Sequence, residues 1–425
     1  MSKHLPRLAF RVMPANRFTI PVLLNQIERE GLDRYFKIFF LEDFAGTQKW
    51  VRENLKGLLI YSFMTPHLPE VQKEISWIKA QNKSRFKLLA GGPHTNGNPL
   101  SSLKLGFDYA YSGAAETGFS ALLERYLQTD LAEVPTIYCS QNLSRLDGSM
   151  PLSKYFPTVP PLEITRGCYW NCKFCQTSSQ QAIHRSFESI QQFYFRIREK
   201  NFNRRMGFIC PSAFEYGGRG NWQANYERLQ RLFSFCRENG TIYLEYGVFP
   251  SEARPNTFRE EFVRLIGEFC SNKKITIGAQ TGADRLLKAL RRGHTVAEVE
   301  AACEMVHRHK LRPLVDIIFG LPGETNQDRH MTLRFIKELA VKYNARTHVH
   351  YFLPLSGTEL ENENPVPLDY YTQDLLSRYQ RDGLCTGWWQ MGRKLSRKLV
   401  EIRDQLAQID LEYKIDHALL QDESR

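Results

Sequence analysis

The sequence predicts an α/β protein made of two parallel-sheet units in tandem, followed by a helical C-terminal tail. Short apolar runs alternate with amphipathic stretches through the first ~130 residues, the pattern of βα units in a doubly wound sheet. The alternation stops at a stretch with prolines at 135, 151, 157, 160 and 161. From Leu162 it resumes for six further rounds of ~35 residues, which suits a partial (β/α)6 barrel better than an open sandwich.

In chain order, a strand is expected at 8–12 and a helix at 18–29. In that helix Ile20, Leu23, Leu24 and Ile27 recur at helical spacing, and Gly31 follows as a stop. Further strands are expected at 37–41, 57–63, 86–90 and 109–111, with helices at 68–81 and 116–127. Residues 57–63 are almost continuously apolar, as in a strand buried on both faces. Residues 1–133 are therefore read as the first domain and 134–161 as a linker. The barrel, 162–360, takes strands at 162–165, 206–210, 242–248, 275–279, 315–319 and 347–352. In the extension, 361–425, Leu395, Leu399, Ile402, Leu406 and Ile409 recur every three or four residues.

Composition narrows the function classes. The chain of 425 residues is 42% hydrophobic and 24% charged, ordinary for a globular protein. No apolar run approaches the ~18 residues of a membrane span, and the N-terminus lacks a signal-peptide pattern. A cytoplasmic location is expected. Nine cysteines, an odd number and mostly scattered, argue for a reducing compartment rather than a disulfide framework. The net charge is +11, but acidic residues are interleaved throughout. The basic spots, such as Arg204-Arg205 and Arg291-Arg292, are short, so nucleic-acid binding is not indicated.

The central chemical signal is Glu163-Ile164-Thr165-Arg166-Gly167-Cys168-Tyr169-Trp170-Asn171-Cys172-Lys173-Phe174-Cys175, directly after a strand. Thiolates are the ligands that iron–sulfur clusters require. Three ligands for four irons leave one position open, as catalytic metal sites do. A zinc knuckle completed by His184 is the structural alternative. The C-x3-C-x2-C loop, with Phe174 before its last cysteine, resembles the defining motif of the radical S-adenosylmethionine (SAM) superfamily. That resemblance implies a [4Fe–4S] cluster on Cys168, Cys172 and Cys175. Its open iron would chelate SAM, and an electron would cleave SAM to a carbon radical that abstracts hydrogen.

Other strand ends carry the same resemblance. Gln280-Thr281-Gly282, with Arg291-Arg292-Gly293-His294-Thr295, is similar to a fourth-strand pattern near the SAM ribose. Residues 316–325, ending in GLPGET, are similar to the fifth-strand turn, Leu353–Thr358 to the sixth, and 249–255 to the third. The resemblance places Phe174, Ser212, Glu252, Gln280, Thr281, Arg291, Ile317 and Leu353 around SAM. The second strand departs from the pattern: Cys210-Pro211-Ser212-Ala213-Phe214 stands where Gly-Gly-Glu is usual.

In the first domain, three successive strands end in Ser62-Phe63-Met64-Thr65, Gly91-Gly92-Pro93-His94 and Gly113-Ala114-Ala115-Glu116. Strand ends are where doubly wound sheets bind ligands. The trio resembles the Rossmann-like, cobalamin-binding-type domain of the B12-binding domain/radical SAM (fused) family. The resemblance implies that Ser62, Thr65, Gly91, Gly92, His94, Gly113 and Glu116 line a cobalamin site. The Asp-x-His-x-x-Gly motif that gives cobalt an axial histidine is absent.

The expected function is reductive cleavage of SAM, leading to cobalamin-dependent methylation of an unactivated carbon. The same architecture supports a radical cyclisation, rearrangement or oxidation with a vestigial or assisting B12-type domain. A methylthiotransferase would need three more cysteines in the first domain, and only Cys139 precedes Cys168. A non-catalytic cobalamin or SAM sensor should show an output domain. An external electron donor of flavodoxin or ferredoxin type is the expected partner, beside a substrate of unknown class.

Overall fold

Strand-forming runs fall largely where the pattern places them, and the helix Ile20–Arg29 stops before Gly31. The computed structural model describes residues 5–53, 56–81, 86–128, 131–200 and 204–420. In the first unit β1 (Arg7–Arg11), β2 (Lys37–Leu41), β3 (Gly57–Ser62), β4 (Phe86–Gly91), β5 (Tyr109–Ser112) and β6 (Thr136–Cys139) pair in parallel, in the order β6-β5-β4-β3-β1-β2. The order reverses at β1, and β3 is buried at every residue. The helices Ile20–Arg29 and Ala115–Leu127 cover one face with Leu24, Ile27, Leu122 and Leu123.

The barrel begins at β7 (Leu162–Glu163). A short antiparallel ribbon follows, β8 (Thr165–Arg166) with β9 (Ile183–His184), and closes the cysteine loop at its base. Next come β10 (Arg205–Ile209), β11 (Tyr243–Glu245), β12 (Lys274–Gln280), β13 (Arg312–Phe319) and β14 (Arg346–Tyr351). They form two parallel groups, β11-β10-β7 and β12-β13-β14, joined where Ala253 bridges Ile277. Thr295 and Thr325 start the helices Val296–Arg308 and Asn326–Tyr343 with capping boxes. Glu324 of the GLPGET turn accepts from the Gly320 N–H at 2.8 Å, so this glutamate holds the turn.

The first sheet does not stop at residue 133. Thr136–Cys139 lies inside the stretch read as linker and is the sixth strand. The tail is not only helical either. Its strand β15 (Cys385–Thr386) extends the barrel beside β14, and β16 (Lys414–Asp416) pairs with β6 at the edge of the first sheet. Between them the helix Trp389–Ala407 buries Leu399, Ile402 and Leu406 with Val71, Ile75 and Ile78. The tail therefore completes both units. Thr136–Cys139 shows the one short periodic run of the linker stretch, whereas strands of two or three residues such as β15 and β16 are too short for periodicity to reveal; pairing with distant partners creates them.

Candidate functional site

The cysteine loop is shaped by its backbone. Gly167 has φ +78°, and a Cβ there would lie 2.3 Å from the Gln181 carbonyl, so glycine is required. The Cys168 N–H donates to Gln180 O at 3.0 Å. The Ser178 hydroxyl donates to the carbonyls of Cys172 and Cys175 at 2.9 and 2.6 Å. His184 is engaged on both ring nitrogens. Its Nδ1 lies 2.9 Å from the Thr165 hydroxyl and its Nε2 2.8 Å from Tyr169 Oη. Burial, then Arg228, lowers its pKa to about 4. The zinc-knuckle alternative loses its fourth ligand here.

Two buried arginines meet at the middle cysteine. Arg292 Nη1 lies 3.2 Å and Arg254 Nη1 3.5 Å from Cys172 Sγ. Arg254 also sits 4.0 Å over the Trp170 ring, whose indole N–H donates to Glu215 at 2.7 Å. Burial pushes the Cys172 thiol up, but Arg292 and then Arg254 outweigh it and hold the thiol below its usual range. Cys168 is raised, chiefly by burial. One cysteine thus sits among positive charge, a setting that favours thiolate. Arg254, Arg292 and Glu215 escaped the sequence reading, although Arg254 and Arg292 lie in its motif segments.

The residues expected around SAM divide. Phe174 packs on Leu290, Leu321 and Phe352, with Arg292 5.8 Å over its ring. Ser212 donates to Glu215, which ties the β10 loop to Trp170. Glu252 is pushed up to about 7 by burial and then by the Asp316 charge. Gln280 ends β12 with φ +75°, a backbone a non-glycine residue rarely adopts. The others point elsewhere. Thr281 is buried against Thr332, 3.1 Å away, on the helix behind the sheet. Arg291 turns outward to Glu359, and its neighbour Arg292 enters the site instead. The Ile317 side chain lies in the barrel's packed core, and Leu353 packs on the first unit's core. Cys210 is a buried thiol, pushed up to about 11 by burial.

In the first unit the strand-end loops meet the barrel. The Ser356 N–H donates to the Thr65 hydroxyl at 3.2 Å, and the Ser356 hydroxyl donates to His94 O at 3.0 Å. Gln176, next to Cys175, donates to Pro93 O and Ser356 O. His94 is a buried, satisfied histidine. Its Nδ1 lies 3.1 Å from the Thr65 hydroxyl, its Nε2 3.1 Å from that of Ser101, and its ring stacks on Phe63. Burial lowers its pKa to about 4. His94 and Thr65 border a cavity of about 180 Å³ against the Trp389–Ala407 helix. That is below the ~300–1,000 Å³ of ordinary ligand sites. Glu116 pairs with Arg166 at 2.9 Å, and this charge outweighs burial to lower its pKa. Ser62 is buried and its carbonyl accepts from Asn16. Gly92 is crowded by Phe63, and the Gly113 N–H donates to Asn96. Gly91 alone of this set borders open space.

Known proteins agree with this arrangement. The profile of the radical SAM superfamily matches residues 162–336. An uncharacterized protein of Methanopyrus kandleri is 24% identical over 67% of this chain and 64% of its own length. The tRNA-2-methylthio-N(6)-dimethylallyladenosine synthase of Chromohalobacter salexigens is 24% identical over 55% of each chain. The chain thus spans less than two thirds of these relatives. Among solved structures, the radical SAM methyltransferase TsrM of Kitasatospora setae, with cobalamin and a [4Fe–4S] cluster bound, superposes with TM-score 0.59 at 13% identity, covering 84% of this chain and 77% of that one. The cobalamin-dependent radical enzyme OxsB, with aqua-cobalamin and SAM bound, gives TM-score 0.57 at 12% identity, over 94% of this chain and 56% of that one. At such identities the likeness is one of fold, a Rossmann-like unit followed by a radical SAM barrel. Residues 162–336 of the chain thus carry a radical SAM domain.

Proposed function

We propose that this radical SAM enzyme holds a [4Fe–4S] cluster on Cys168, Cys172 and Cys175 and methylates an unactivated carbon with the help of cobalamin. The observation that carries the cluster assignment is the donor set itself. Three thiols share one glycine-started loop, and the middle sulfur faces Arg254 and Arg292. When bound, the cluster supplies the electron that cleaves SAM, and cobalamin supplies a transferable methyl group. The chain's own residues position these groups. The two arginines offset the negative charge of the thiolates, and Trp170 and Glu215 hold Arg254 and the β10 loop in place.

The cobalamin half rests on the fold shared with TsrM and OxsB and on strand ends that face the barrel. The open space at Gly91 suits a backbone cradle. His94 is committed to Thr65 and Ser101, so its imidazole would not be what holds cobalamin. A second reading draws on the hydrogen bonds from Ser356 and Gln176 to residues 65–94. They close part of the same face and favour a radical cyclisation, rearrangement or oxidation with a vestigial B12-type domain.

The test is anaerobic reconstitution with iron and sulfide, then titration with cobalamin followed by absorption spectroscopy. Stoichiometric corrinoid uptake beside a cluster spectrum supports methyl transfer. A cluster spectrum without uptake transfers the assignment to the second reading, and no cluster at all overturns both.

A further inference from the structure

Side chains on a strand alternate between the two faces of a sheet. On β13 and β14, Val315, Ile317, Phe319, Val349 and Tyr351 enter the packed core. Asp316, His348 and His350 therefore share the opposite face, toward the barrel lumen. The parallel register sets Asp316 beside His348 and Ile318 beside His350. Asp316 is buried, while the imidazoles are 41% and 45% exposed, so the group is open on the lumen side.

The geometry within the group is specific. His348 Nδ1 lies 3.6 Å and His350 Nε2 3.7 Å from the same Asp316 oxygen. The ring centroids are 4.3 Å apart at 61°. One ligand atom from each residue fits within 4.8 Å of the others. These separations exceed good hydrogen bonds, which run at about 2.7–3.2 Å for N–H···O. They approach the spacing of neighbouring ligands around one ion, since metal–ligand bonds of about 2.0–2.2 Å put tetrahedral ligands roughly 3.3–3.6 Å apart.

We propose that Asp316, His348 and His350 form a divalent metal site in the barrel lumen, separate from the cysteine loop. Two imidazoles and a carboxylate suit borderline first-row ions, of which Zn2+ is the fitting probe. Three protein ligands leave the remaining positions facing the lumen, where an oxygen or nitrogen donor of a substrate can complete the shell. Glu252 feels the charges of both Asp316 and Arg292, and Arg292 in turn reaches Cys172. The assignment stands independently of the methyl-transfer reading.

The test uses full-length, cluster-loaded protein, cleared of loose metal, incubated anaerobically with Zn2+ and desalted. Iron and zinc are then counted per chain. The expected result is a stoichiometric zinc in addition to the cluster iron. His348→Ala and His350→Ala should each lower retained zinc by at least the about 10-fold that loss of an outer-shell partner costs, with iron and the thermal midpoint of the zinc-free protein unchanged. A variant with Cys168, Cys172 and Cys175 all changed to alanine should lose iron and keep zinc. Failure of the wild type to retain zinc, zinc unaffected by both histidine changes, or zinc lost with the cysteines would overturn the site. Iron content reports on the cluster separately.

Discussion

The two strand-end surfaces of the molecule face each other but are built from different chemistry. On the barrel side, buried arginines converge on a thiol: Arg254 and Arg292 reach Cys172 from 82 and 120 residues away. On the first unit's side, the contacts are largely neutral. His94, Thr65, Ser101 and Ser356 form a hydrogen-bonded set with no formal charge, and Gly97 packs directly on the Ser356 backbone. Glu116–Arg166 is an ion pair that crosses at the edge of this contact. Buried cations need a nearby anion or acceptor to offset desolvation, and a thiolate at Cys172 would provide one. A neutral face has no such need and serves docking. The barrel side gathers charge around a thiol, and the facing side docks on it through neutral hydrogen bonds.

The sharpest way to break this contrast is to remove a thiol. Cys172→Ala should abolish cluster iron and SAM cleavage, read by iron content and by 5′-deoxyadenosine formation. Next in size, Arg254→Met or Arg292→Met should keep the iron but make the cluster harder to reduce, because a positive charge is lost beside it. We expect a more negative potential by redox titration and a SAM cleavage rate about 10–100-fold lower, typical when a supporting residue of a metal site is lost.

The docking side should respond in stability. A Cβ at residue 97 would stand 2.3 Å from Ser356 O. Gly97→Ala should therefore cost about 1–3 kcal/mol, seen as a lower unfolding midpoint with cluster iron retained. The smallest effect is that of His94. Its pKa is about 4 in the fold against 6.5 for the free side chain. The unfolded chain then binds more protons across that window, so stability is present above pH 6.5 and falls as pH drops toward 4. The loss from this one histidine should be about 1–2 kcal/mol between pH 6.5 and 5, and His94→Gln should flatten that part of the curve.

Legibility in the sequence follows the range of the interactions. The Gly57–Ser62 strand could be read because a strand buried on both faces is apolar at nearly every position. The helix Leu68–Ala80 could be read because its apolar residues share one face. The pair Arg291-Arg292 looked like a small basic surface spot. The backbone turns at Arg291, with φ +56°, and sends one side chain to Glu359 and the other to Cys172. No local pattern distinguishes the two. The Thr-His-Val-His-Tyr alternation of β14 does carry a signal, since a period of two puts both histidines on one face. Only the neighbouring strand shows that Asp316 shares that face.

By itself the sequence determined the cysteine loop, the two blocks of βα alternation and the order of the strand-end motifs. These depend on residue type and on spacing within one element, which the chain carries locally. The tertiary structure decided which arginine meets Cys172, that His94 is an interior hydrogen-bonding residue, and that β16 closes the edge of the first sheet. Each depends on where residues far apart in sequence come to lie, and a side chain's role follows from the charges and hydrogen-bonding groups it meets after burial.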